Sequence, residues 1–266
     1  MAQNKSSVLM TQEEVTKNLN LQPQQVFRLF SRLLAQGRIQ QLQRGLYMLP
    51  GRLPPGKQWK PSAYEALIAY MKYLKSYWQI TGLAAFALHG FSTQVPQKIF
   101  VYNDTISGEK ELAENQFYFI KVYKSRLGNV KKVNLLEKNQ CIFFSSYYRT
   151  IFDAILECSR FGTLPEAFTW LASILPNKKA LEEIIYCCTH YGNITTTARI
   201  GYFLEKIGYN VAPLYKYFQS TNSKAQILFI PGQKIGQINK KWNIIENFPI
   251  SKILENVEVP DEDESQ

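Results

Sequence analysis

Between Thr11 and Leu49 the apolar positions change period twice. Val15 and Leu19 lie four residues apart behind Thr11-Gln-Glu-Glu14. That tetrad is a capping box, in which the Thr11 hydroxyl and the Glu14 carboxylate each accept a backbone amide at a helix start. The helix is expected to run to Leu19 with both apolar residues facing inward. Asn20-Leu21 makes a turn, and Pro23 suits the first position of a second helix. There Val26, Leu29, Phe30, Leu33 and Leu34 form one apolar stripe, while Gln24, Gln25, Arg28, Ser31 and Arg32 form the opposite face. Gly37 ends this helix. Arg38–Leu42 and Leu46–Leu49 then read as a hairpin with Gln43-Arg44-Gly45 at its tip. Helix, tight turn, helix, hairpin is the order of a winged helix-turn-helix, whose second helix enters the DNA major groove.

Four prolines and two glycines between Pro50 and Pro61 exclude a continuous helix or central strand. Residues 51–61 are therefore expected to link an N-terminal domain, 1–50, to a larger mixed α/β C-terminal domain, 62–257, with an acidic tail at 258–266. The class predicted is α+β. In the larger domain Ser62–Ser76 has helical spacing, and Thr81–Leu88 reads as a short helix stopped by Gly90. Gln97–Tyr102, Phe117–Tyr123 and Cys141–Phe144 are β-branched or aromatic runs and read as strands. Helices are expected at Thr150–Phe161, Leu164–Leu175, Lys179–Tyr191 and Asn193–Ile207, then strands at Ala225–Ile230 and Trp242–Ile245.

Charge sharpens the reading of the N-terminal segment. The 266-residue chain carries +10, and +7 of this lies in the first 60 residues, whereas the last twelve carry −6. Gln22–Leu49 contains no acid at all. Glutamine pairs bidentately with adenine and arginine with guanine or phosphate, whereas carboxylates are repelled by the phosphates. Gln24, Gln25, Arg28, Ser31 and Arg32 are thus expected to face the major groove, with Arg38, Gln43 and Arg44 contributed by the wing. The competing reading of this face is a solvated basic surface that binds protein. Lys121, Lys124, Arg126, Lys131 and Lys132, with Tyr118 and Tyr123 among or just before them, form a second basic run. It fits a second nucleic-acid contact and equally a solvated strand edge.

Other chemistry is sparse. Cys141, Cys158, Cys187 and Cys188 show no C-x-x-C spacing, which fits a reducing compartment, and no signal-peptide pattern opens the chain. Ile80–Phe91, the most apolar run, is too short to span a bilayer. A cytoplasmic protein without membrane contact, cofactor or metal is expected. His89 reads as a helix-end or core hydrogen-bonding residue. His190, after Cys187-Cys188, lacks partners for a tetrahedral metal site. Thr150-x-x-Asp153, beside Arg149, reads as helix-start chemistry, and no catalytic residue is assigned.

Four segments carry a wider resemblance: "RIQQLQRGLYMLP" (Arg38–Pro50), "ITGLAAFALHGF" (Ile80–Phe91), "YYRTIFDAI" (Tyr147–Ile155) and "TARIGYFLEKIG" (Thr197–Gly208). In this order, spanning most of the chain, they resemble the AbiEi antitoxin family of type IV toxin–antitoxin systems. The resemblance implies a winged helix that binds double-stranded DNA at its own promoter and represses its own operon. It also implies a larger domain that neutralises a nucleotidyltransferase-like toxin without a stable complex, for which the second basic run is a candidate antitoxicity surface. Two alternatives stay open: a winged-helix transcription regulator without a toxin, and a DNA-processing enzyme.

Overall fold

The computed structural model describes residues 8–51, 58–135 and 140–257. Residues 52–57 of the expected linker and the expected tail, 258–266, lie outside the described residues. The chain is a mixed α and β protein whose backbone packs into two compact units. Of the described residues, the first takes in 8–51, 58–80, 95–127, 131–135 and 140–144, and the second 81–94, 128–130 and 145–257.

The first unit opens with β1 (Val8–Thr11), α1 (Gln12–Leu19), α2 (Pro23–Ala35), β2 (Gln40–Gln43) and β3 (Leu46–Leu49). The Thr11 box forms as expected: the Glu14 amide donates to Thr11 Oγ1 at 3.2 Å and the Thr11 amide to Glu14 Oε2 at 2.8 Å. Asn20, at φ 49°, turns the chain out of α1. The three strands form one sheet in the order β1-β3-β2, both pairs antiparallel. Tyr47 closes a small core with Val15, Val26, Phe30 and Ile39, its ring 4.2 Å from that of Phe30. Alternate residues Leu46 and Met48 are buried on the other face of β3. Leu19, expected to point inward, is exposed: it is the last helical residue, and Val15 alone is buried from α1.

α3 (Ala63–Tyr73) follows with a reciprocal Ser62–Glu65 cap. Next come β4 (Trp78–Thr81), α4 (Leu83–Leu88) of the second unit, β5 (Lys98–Asn103), β6 (Gly108–Leu112), β7 (Asn115–Lys121), β8 (Val130–Leu135) and β9 (Gln140–Ser145). A 3₁₀ turn at Lys124–Arg126 follows β7. The six strands form a sheet in the order β6-β7-β5-β4-β9-β8, with β5 parallel to β7, β4 parallel to β9, and β6 antiparallel to β7. α3 lies on this sheet through Tyr64 against Phe144 and Tyr70 against Phe119. Thr81 thus ends a strand and does not begin a helix: Gly82, at φ 63°, separates it from α4.

The second unit is built from α4, α5 (Tyr147–Leu156), α6 (Cys158–Phe161), α7 (Glu166–Ile174), α8 (Lys178–Tyr191), α9 (Ile194–Lys206) and α10 (Ala212–Ser220). β10 (Ile227–Leu228), β11 (Gln237–Asn239), β12 (Ile244–Glu246) and α11 (Ile250–Leu254) complete it. Its core gathers Phe152, Phe168, Phe203, Phe229 and Trp242, and the Trp242 indole donates to Glu205 at 2.8 Å. Gly201 on α9 admits this indole, because a Cβ there would lie inside the ring's van der Waals envelope. No helix among the described residues is long and apolar enough to cross a membrane.

Candidate nucleic-acid interface

α2 owes its start to Pro23 and to Gln25, whose Oε1 accepts the Gln22 amide at 2.8 Å. That bond divides the two glutamines of the outward face. Bidentate adenine recognition needs both the oxygen and the nitrogen of the amide. Gln25 has committed its oxygen to the cap, while Gln24 is exposed beside it. We expect Gln24→Ala to weaken binding to an adenine-containing site by about 1–3 kcal/mol. Gln25→Ala should instead lower the melting temperature with little change in base preference. Titration of both variants against single-base operator changes would reveal the reverse assignment.

Arg28, Ser31 and Arg32 are exposed along the same face, so α2 presents Gln24, Arg28, Ser31 and Arg32 together with no acid among them. Phe27, absent from the expected face, is also exposed. Its signal was its spacing, three residues after Gln24 and four before Ser31.

The hairpin turns tightly at Arg44-Gly45, with Gly45 at φ 81°, a left-handed conformation that favours glycine. Arg38 and Arg44 are exposed. Gln43 is not presented with them: it is half-buried, and its Oε1 accepts the Tyr70 hydroxyl at 3.1 Å. The tip and the start of α2 border one groove of about 530 Å³, lined by Glu13, Thr16, Lys17, Pro23, Arg44 and Tyr73 among others. Arg44 is therefore within reach of a body that also touches the first turn of α2.

The second basic run divides in the fold. Lys121 ends β7, and Lys124 and Arg126 lie in the 3₁₀ turn after it, where Lys124 Nζ sits 3.6 Å over the Tyr77 ring. Lys131 and Lys132 lie on β8, which β5, β4 and β9 separate from β7 in the sheet order. Lys121 and the Lys131–Lys132 pair thus lie on strands that are not neighbours.

The Arg149–Asp153 pair is also placed otherwise than expected. Ser146 caps α5, its Oγ accepting the Arg149 amide, so Asp153 falls well inside the helix. Asp153 Oδ1 accepts from Arg149 Nε at 2.7 Å, and Oδ2 accepts from Thr81 at 2.9 Å and Ser145 at 2.7 Å. Both charged residues are buried, and the Arg149 guanidinium lies 3.9 Å from the Tyr191 ring centroid. The helix-start reading fails because Thr150-x-x-Asp153 copies a cap locally while its partners are tertiary. The segments Ile80–Phe91 and Tyr147–Ile155 meet at this carboxylate, through Thr81 and Arg149. His89 caps the end of α4 and donates to the Ser145 carbonyl at 2.9 Å, the structural role expected of it. His190 is exposed and stacks on Tyr186.

The thiols follow burial. Burial pushes Cys187 up to about 12 and Cys188 well above its ordinary value, and Cys158 is buried too, whereas Cys141 is partly exposed. A thiol-reactive chromophore at pH 8 should label one cysteine rapidly and the other three only on unfolding. Tyr191 is likewise pushed up to about 12 by burial. The folded chain then keeps protons that the unfolded chain releases above about pH 8.5 for thiols and 10 for tyrosine. Stability should hold below that range and fall as pH rises through it, as urea midpoints between pH 8 and 11 would register.

No family model matches the chain, and no curated protein matches it. Among solved structures, the RV2827C protein from Mycobacterium tuberculosis is similar, with a TM-score of 0.56 at 13% identity over 93% of this chain and 89% of that one. The likeness is one of fold.

Proposed function

We propose that this protein is a DNA-binding antitoxin and autorepressor, with β1–β3 and the α1–α2 pair acting as a winged helix-turn-helix. One observation carries the reading. The face of α2 holding Gln24, Arg28, Ser31 and Arg32 is exposed and free of acid, and its first turn shares a groove with Arg44 of the hairpin tip. α2 is the element that would enter the major groove, and Arg44 would meet the adjacent phosphates or minor groove. The antitoxin part of the proposal rests on the family resemblance of the four segments quoted above. The partners are then double-stranded DNA at the protein's own promoter and, functionally, a nucleotidyltransferase-like toxin.

The test is fluorescence anisotropy with the duplex upstream of the protein's own gene, against a scrambled duplex, at several salt concentrations. Preference for the upstream duplex is expected. If about five phosphates are neutralised, log K against log salt should slope by roughly −4.5. Equal binding to both duplexes would reduce the interface to a basic surface, and a flat salt dependence would remove the electrostatic footprint. Co-expression with an adjacent nucleotidyltransferase-like gene product tests the antitoxin half. Growth rescue supports it, while operator binding without rescue leaves a transcription regulator.

A further inference from the structure

Phe27 lies on the exposed side of α2 with 62% of its surface exposed. More than half of the apolar surface that burial of this ring would remove from water is still exposed in the free protein. Its neighbours three and four residues away along the helix are Pro23 and Gln24 before it and Phe30 and Ser31 after it; Gln24 and Ser31 are polar and exposed. Arg28 and Arg32 are exposed farther round the helix, and Gln22–Leu49 contains no acid. The ring is therefore an exposed apolar group at the border between the apolar stripe of α2 and its hydrogen-bonding and cationic face.

The major groove of DNA matches that arrangement. Its floor offers donors and acceptors from all four bases and one apolar group, the C5 methyl of thymine, which apolar side chains including phenylalanine contact. We propose that Phe27 reads a thymine methyl next to the base contacted by Gln24, so that the preferred site contains an A·T pair at this position. This inference rests on the proposal that α2 enters the major groove. It goes beyond that proposal by assigning a base to a residue that makes no hydrogen bond through its side chain.

The test uses the full chain and the upstream duplex in two forms, one with thymine and one with deoxyuridine in its place, which lacks only the methyl. Burying one methyl at about 0.8 kcal/mol corresponds to about fourfold in Kd. The wild-type protein should bind the deoxyuridine duplex at least fourfold more weakly. Phe27→Ala should bind the thymine duplex more weakly than wild type and lose the distinction between the two. Phe27→Leu should retain part of it.

Equal wild-type affinity for the two duplexes overturns the assignment while leaving DNA binding by α2 intact. So does a penalty that persists undiminished in Phe27→Ala, since it would then come from the duplex itself. If Phe27→Ala changes the oligomeric state in sedimentation while deoxyuridine has no effect, the ring belongs to a protein contact and the assignment fails. Failure of the wild-type chain to bind either duplex removes the major-groove reading and this inference with it.

Discussion

Replacing Arg28 and Arg32 together with alanine should cost about 2–6 kcal/mol of binding to the upstream duplex, because each guanidinium that reads a guanine contributes about 1–3 kcal/mol. The two residues lie one turn apart on α2, and both are exposed. The start of the helix is held by Pro23 and Gln25, and its packing by Val26 and Phe30, so the substitutions should leave the fold intact. Melting curves that overlay the wild type would establish this.

The form of the loss distinguishes two roles. If the arginines read bases, the upstream duplex loses affinity while the scrambled one barely changes, and the preference collapses. If they hold phosphates, both duplexes weaken together and the salt slope becomes shallower by about 1 per residue. A double variant that binds both duplexes as the wild type does would take α2 out of the interface.

The sequence was most legible where structure is decided locally. The Thr11 box, Pro23 and the glycine of the hairpin tip act within four residues of themselves, and α1, α2, β2 and β3 all form close to where they were expected. Strands whose existence depends on a distant partner were missed. β1 is four residues long and forms by pairing with β3, about 38 residues on. β6 reads Gly-Glu-Lys-Glu-Leu, a largely polar edge strand. Its hairpin turns through Ala113 and Glu114, both at positive φ, without the Asn-Gly signal that usually marks such a turn.

The candidate site divided in the same way. Periodicity placed Gln24, Arg28, Ser31 and Arg32 on one exposed face. It could not show that Gln25 would spend its oxygen on the cap, or that Tyr70, 27 residues away, would hold Gln43. The arrangement of the second basic run was not legible either, because a strand order is a tertiary fact: one stretch of lysines serves strands that are not neighbours.

The largest expected loss of stability lies in the second unit, at Asp153. Its carboxylate is fully buried and accepts three side-chain hydrogen bonds, from Arg149, Thr81 and Ser145. Asp153→Ala leaves the Arg149 guanidinium buried without its counter-charge, and breaking such a pair from one side costs about 3–5 kcal/mol. Against a typical total of about 5–15 kcal/mol, that is a large fraction of the stability of a domain. Asp153→Asn should recover little, because its amide oxygen can accept from the two hydroxyls only by turning its NH₂ group toward the guanidinium. Arg149→Met with Asp153→Leu removes both charges and fills much of the same space. It should be less damaging than Asp153→Ala alone, since apolar replacement of a whole buried pair is often neutral. Urea denaturation of the single and double variants, assembled as a cycle, measures the coupling directly. A loss below about 1 kcal/mol in Asp153→Ala would mean that water reaches the guanidinium once the carboxylate is gone, and that the cluster is held by its hydroxyl bonds and the Tyr191 ring more than by charge.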